Sequence, residues 1–299
     1  MLLKERIHDK NLSNDSIQPT DTLFMSHFSL PKNSKMPLKI NKNEIHLWQV
    51  NPDEITETEL LNKYKKLLTS EETKKQQRYK FSQDKHDALI TRAFIRDLLS
   101  YYADIAPQDW RFKKGEKDKP EIVNSPLPLR FNLSHTKGLI ICAVTLENDI
   151  GCDVEDITRS NDVLSIANRY FSASETEELF SLPTTQQRNR FFDYWTLKES
   201  YIKAWGLGLA IPLKDFSYTI NDSIVEKNSL FSVKNNISLA FCQHRVDNAN
   251  RWQNWLLYPN DNQQHRIALA LRSTENNQNT AYQLRCFSSM PLLGYKEFV

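Results

Sequence analysis

Three closely spaced runs, FNLSHT at 131–136, GLIICAVTL at 138–146 and IGCDVE at 150–155, read as consecutive strands joined by short polar turns. Any fold for this chain must accommodate that β-rich centre. Its middle run holds the longest aliphatic stretch, LIICAV at 139–144, far below the ~20 residues needed to cross a bilayer. The first residues, MLLKERIHDKNLSNDSIQ, carry only a two-leucine apolar run before charges intervene, well short of a secretory leader core. A soluble, cytoplasmic protein without a membrane partner is expected.

Helical patterns flank the centre. Before it come Thr58–Leu68 and the stretch from Ser70 through Tyr102, where Ala88, Leu89, Phe94, Ile95, Leu98 and Leu99 form an apolar stripe. After it come Val163–Phe171, Ala173–Leu182 and Arg188–Trp205, then strand-like runs at Phe216–Ile220, Ile237–Cys242, Arg266–Leu271 and Tyr282–Phe287. The order α then β occurs twice, which predicts an α+β fold of two similar halves with a seam near 145–155 and the site at that seam. The expected division is a flexible or loosely docked extension over 1–43, a first half over 44–148 opening on the strand EIHLWQV, and a second half over 149–299.

Charge narrows the partners. Lys and Arg total 39 against 37 for Asp and Glu, so nothing global favours nucleic acid, although the basic run from Lys74 to Lys80 keeps that rival reading in view. Cys142, Cys152, Cys242 and Cys286 show no CxxC spacing and sit in or beside apolar runs, as reduced core residues would.

Within Gly151-Cys152-Asp153-Val154-Glu155, strand alternation sends Asp153 and Glu155 to one face and Cys152 and Val154 to the packing layer. Two crowded carboxylates repel each other unless a hard cation such as Mg²⁺ joins them; solvated acids at an exposed strand end are the plainer alternative. On a helix through WTLKESYIKAWG at 195–206, Glu199 and Lys203 stand four apart and share a face. They form either a metal and phosphate pair or a surface ion pair worth about 0.3–0.5 kcal/mol. Trp195 and Ile202 are core residues on both readings. No GxxxxGK(S/T) loop is present to support nucleoside triphosphate chemistry.

Taken together, FNLSHT, then GCDVE beginning seventeen residues after Ser134, then WTLKESYIKAWGLGL, resemble in order and spacing the Sfp-type 4′-phosphopantetheinyl transferase family. The resemblance runs more loosely from about 44 to 220. It implies a pseudo-dimeric α+β fold with coenzyme A in the cleft between halves, and transfer of the phosphopantetheine arm to a serine of an apo acyl, peptidyl or aryl carrier protein by a monomer. It also implies Mg²⁺, with Mn²⁺ as a substitute, held by Asp153, Glu155 and Glu199.

On the same grounds Lys198 and Lys203 fall on the lysines of the family helix, with Lys203 meeting the reacting phosphate and Glu199 as the candidate base, Asp153 being the alternative. Ser134 and His135 fall on a pair that touches the coenzyme A 3′-phosphate. Lys75 and Arg92 resemble basic positions used toward the nucleotide phosphates, and Lys119-Pro120 resembles a GKP element bordering the adenine. Asp118 in place of that glycine, and Asp87 where some members carry an arginine, depart from the pattern. A binding module that has lost turnover would show damage to the carboxylates or to the lysine, and none is seen.

Overall fold

Every residue of the run Leu139–Leu146 is buried, which requires cover on both faces of that strand. The computed structural model describes residues 37–115, 119–221, 223–224, 226–261, 264–274 and 280–298. In chain order its first part holds β1 (Glu44–Val50), α1 (Thr58–Lys65), α2 (Ser70–Gln77), α3 (Ser82–Ser100), the short strands β2 (Phe112–Lys114) and β3 (Pro120–Ile122), then β4 (Leu129–Thr136), β5 (Leu139–Leu146) and β6 (Asp149–Asp156). The remainder holds α4 (Val163–Tyr170), α5 (Ala173–Ser181), α6 (Thr184–Trp205), β7 (Phe216–Ile220), β8 (Glu226–Lys227), β9 (Phe231–Lys234), β10 (Ile237–Phe241), β11 (Trp252–Pro259), β12 (His265–Arg272), β13 (Gln283–Met290) and β14 (Gly294–Phe298).

Two five-stranded sheets carry the fold, one ordered β14-β13-β1-β5-β4 and the other β6-β12-β11-β9-β8. Alternation along β5 explains its burial. Ile140, Cys142 and Val144 join the core beneath α1 and α3, while Leu139, Ile141 and Ala143 join Ile150, Cys152, Val154, Leu257 and Leu269 between the sheets. A third cluster packs α4, α5 and α6 on the outer face of the second sheet. The result is the expected α+β pseudo-dimer, with helices outside and sheets inside.

The seam runs between β4 and β6, the edge strands of the two sheets. Side chains stitch them: the Cys152 N–H donates to Asn132 Oδ1 at 2.9 Å and the Val154 N–H to Ser134 Oγ at 3.2 Å. Residues Asn132 and Ser134, two apart, thus satisfy edge amides that no ladder strand reaches.

The expected second half over 149–299 is not continuous. Residues of β13 return to the first sheet and pair in parallel with β1, Leu47 opposite Cys286 and Trp48 opposite Phe287. The physical reason is the open edge of β1. Its Trp48 stacks on Phe287 with ring centroids 4.4 Å apart, so the last strands bury an aromatic surface that would otherwise face water. In the second half of the chain, strands β8, β9, β11 and β14 fall outside the strand-like runs of the sequence; in β11 the residues Trp255 and Leu257 alternate into the inter-sheet core. The expected extension lies outside the described residues over 1–36. Over 37–43, Leu38 donates its N–H to the Tyr101 carbonyl at 2.6 Å, and Leu38 and Ile40 pack on the first core.

Candidate active site

Gly151 lets α6 rest directly on β6. A Cβ there would run into the Ser200 carbonyl and the Ala204 amide, so backbone meets backbone and the helix crosses the strand at close range. The 22-residue α6 ends at Gly206, whose φ of 75° takes the left-handed conformation and whose N–H returns to the Ile202 carbonyl. Lys119 completes that end from the first half, its Nζ donating to the Lys203 carbonyl at 2.9 Å and the Ala204 carbonyl at 3.0 Å.

Trp195, Glu199 and Lys203 lie at successive i+4 steps and form one stripe of α6 over the polar face of β6. Trp195 Nε1 donates to Glu155 Oε1 at 3.2 Å, and Lys203 Nζ donates to Asp153 Oδ1 at 2.6 Å. Asp153 and Glu155 are only 1% and 2% exposed. Burial, reinforced by the charges of Asp153 and Glu155, pushes the Glu199 carboxyl up to about 7. Burial alone would lower the Lys203 amine, but Asp153 and Glu199 outweigh it and hold it up at about 12.

This cluster suits a divalent cation in part. Asp153 Oδ2 is buried without a hydrogen-bond partner, an oxygen lone pair with nothing to meet. The nearby Glu199 carboxyl is raised first by burial and then by the charges of Asp153 and Glu155. Both oxygens of Glu155 are engaged, one by Trp195 and the other by the Arg159 guanidinium. Among the described residues no three acidic, histidine or cysteine side chains converge as a ready-made cation site.

Of the other expected site residues, only some join this cluster. Lys198 is fully buried on a different face of α6, donating to the Leu213 and Phe216 carbonyls at 2.7 and 2.6 Å and pairing with Glu175 at 2.8 Å. That corrects its assignment to coenzyme A: one step along a helix rotates a side chain by about 100°, here away from β6 and into the second core. Ser134 is buried beside Asp153, whereas His135 follows on the exposed side of β4. Lys75 is exposed on α2, and Arg92 on α3 lies 3.9 Å from Glu72. Pro120 opens β3 next to the capping Lys119. Asp87 is buried and accepts from Gln83 Nε2 at 2.9 Å; Asp118 lies outside the described residues.

Sequence reading missed three contributors: Arg159 on Glu155, the Trp195 indole on the same carboxylate, and Lys119 as a helix cap. Arg159 stands four residues beyond Glu155, but past the end of a strand that spacing carries no contact signal.

Comparison with known proteins agrees with this architecture. Residues 149–270 match the model of the 4′-phosphopantetheinyl transferase superfamily, and residues 54–147 match that of the 4′-phosphopantetheinyl transferase N-terminal region. The chain is 34% identical over 189 residues to 4′-phosphopantetheinyl transferase HetI of Nostoc sp., covering 62% of this chain and 78% of that protein. It is 31% identical over 159 residues to 4′-phosphopantetheinyl transferase Sfp of Bacillus subtilis, covering 53% and 69%. The chain belongs to the 4′-phosphopantetheinyl transferase family. Enzymes of this family transfer phosphopantetheine from coenzyme A to a serine of a carrier protein.

Proposed function

We propose that this protein carries out that transfer with Mg²⁺ or Mn²⁺ held by Asp153 and Glu199, with Glu155 as the third carboxylate. The observation that carries the reading is the α6 stripe laid on β6, which brings Glu199 and Lys203 to the Asp153 carboxylate, Lys203 bonded to its Oδ1 while its Oδ2 stays buried and unpartnered. When bound, the cation neutralises charge on the coenzyme A pyrophosphate and makes its phosphorus more electrophilic.

The chain's own groups account for the rest. The carrier serine oxygen attacks the phosphorus bearing the pantetheine arm, and the bond from that phosphorus to the oxygen of 3′,5′-ADP breaks. Glu199 takes the serine proton, as a carboxylate within reach of the attacking hydroxyl can, directly or through a water. Lys203 reaches the phosphoryl oxygens as negative charge builds on them, stabilising the transition state more than the ground state. His135, Lys75 and Arg92 meet the nucleotide phosphates, while Lys119 and Pro120 border the adenine. The protein acts as a monomer in the cytoplasm, without nucleic acid or membrane; among the described residues no helix is long and apolar enough to cross a membrane.

The test is direct. Incubation with coenzyme A, Mg²⁺ and a panel of apo acyl, peptidyl and aryl carrier proteins should add the phosphopantetheine mass to at least one of them. No increment on any carrier would overturn the proposal.

A further inference from the structure

Ser134 is expected from the family pattern to touch the 3′-phosphate of coenzyme A, yet its hydroxyl is fully committed elsewhere. A serine hydroxyl has one proton to give and two lone pairs to accept with. The proton goes to Asp153 Oδ1 at 2.9 Å. The lone pairs take the Val154 N–H at 3.2 Å and Lys203 Nζ at 2.8 Å. Ser134 is 4% exposed, so water does not compete for these bonds. A phosphate oxygen accepts but does not donate, and the only proton Ser134 could offer it is already given to Asp153.

We infer that Ser134 is a positioning residue of the transfer reaction: its hydroxyl holds the Asp153 carboxylate and the Lys203 ammonium in register across the seam, and it does not bind the 3′-phosphate. Two features make the arrangement specific. The bond to Asp153 Oδ1, together with Lys203 on the same atom, turns Oδ2 away from both partners and leaves it open. The bond from Val154 fixes Ser134 to the backbone of β6 itself, so β4 and the ligand-bearing strand move as one. Such a hydroxyl stands one step behind a cation ligand, and removal of groups in that position costs 10–100-fold in metal affinity or activity. Its absence should also free Lys203 to swing away from the reacting phosphorus. The 3′-phosphate contact then falls to His135, on the exposed side of the same strand.

This inference rests on the transferase reading, so its test needs one arm that does not depend on turnover. Ser134→Ala, Ser134→Cys and Ser134→Thr would be compared with the wild type in the full chain. Cysteine keeps the volume but donates weakly, and threonine keeps the hydroxyl. The readouts are kcat, the preference for coenzyme A over 3′-dephospho-coenzyme A, and the affinity for Mn²⁺ alone by paramagnetic titration, with melts to establish folding. Ser134→Ala and Ser134→Cys should lower kcat and weaken Mn²⁺ binding by about tenfold or more, with Ser134→Thr within about threefold of wild type on both. The preference for coenzyme A should not change in any variant. A normal kcat and Mn²⁺ affinity in Ser134→Cys, or loss of the 3′-phosphate preference, would overturn the inference. If the wild type modifies no carrier, the transferase reading fails, and the Mn²⁺ series still decides whether Ser134 orients Asp153.

Discussion

Lys119, from the first half of the chain, donates its Nζ to the backbone carbonyl of Lys203 at 2.9 Å, closing the C-terminal end of α6 from across the seam. Burial pulls this amine below the ordinary lysine value, and its two carbonyl partners repay part of that cost. Lys119→Met should therefore destabilise the fold by about 1–2 kcal/mol and lower kcat, because Lys203 sits on the last turn that Lys119 holds. Denaturant melts and steady-state rates on the same preparations would check both. An unchanged melt would mean that the cap adds nothing to stability.

If Asp153, Glu155 and Glu199 share a cation as proposed, their crowding predicts metal dependence. Excess chelator should abolish transfer, and Mg²⁺ or Mn²⁺ should restore it. Asp153→Ala should mimic the chelated state, whereas Asp156→Ala should not. The Asp156 carboxylate is occupied by the Thr158 N–H at 2.9 Å and the Thr158 hydroxyl at 2.6 Å, which shapes the turn after β6. Equal losses from the two substitutions, read as rates of carrier modification, would count against Asp153 as a ligand.

Lys198 and Lys203 should separate stability from turnover. Removing Lys198 strands the fully buried Glu175 carboxylate, so Lys198→Met should cost about 3–5 kcal/mol. Glu175 keeps the Tyr218 N–H and the Ser172 hydroxyl, which moderates the loss, and Lys198→Met with Glu175→Gln should recover part of it. Lys203→Met should keep its fold and lose on the order of 10²-fold in kcat. Melts paired with rates would test the contrast; a well-folded Lys203→Met with near-normal turnover would remove its phosphate role.

Asp97 predicts a pH dependence of stability. Burial pushes its carboxyl up to about 6 from an ordinary 3.8, against hydrogen bonds from Leu292 and Tyr101. A raised acid pKa means the folded state holds the proton more tightly than the unfolded state. Its penalty is full above about pH 6 and fades as pH falls toward 4. Asp97→Asn should raise stability at pH 8 by up to about 2–3 kcal/mol and converge on the wild type near pH 4. Melting temperatures across that range would check it, and a constant gap between the two proteins would rule out titration of Asp97 as the cause.

Local periodicity made half of the site legible in the sequence. Strand alternation put Asp153 and Glu155 on one face and Cys152 and Val154 in the core, and helix spacing put Glu199 and Lys203 together, because backbone geometry alone sets those relations. The α+β order of elements predicted two halves for the same reason. Tertiary packing decided everything that joins distant segments. Which face of α6 meets β6 depended on Gly151 admitting the helix backbone, and that choice sent Lys198 into the second core beside Glu175. The return of β13 to pair with β1 depended on which sheet edge remained open to it. Ser134, Arg159 and Lys119 acquired their partners only through these approaches, since a side chain's hydrogen-bond partner across a fold is set by packing and leaves no period in the sequence.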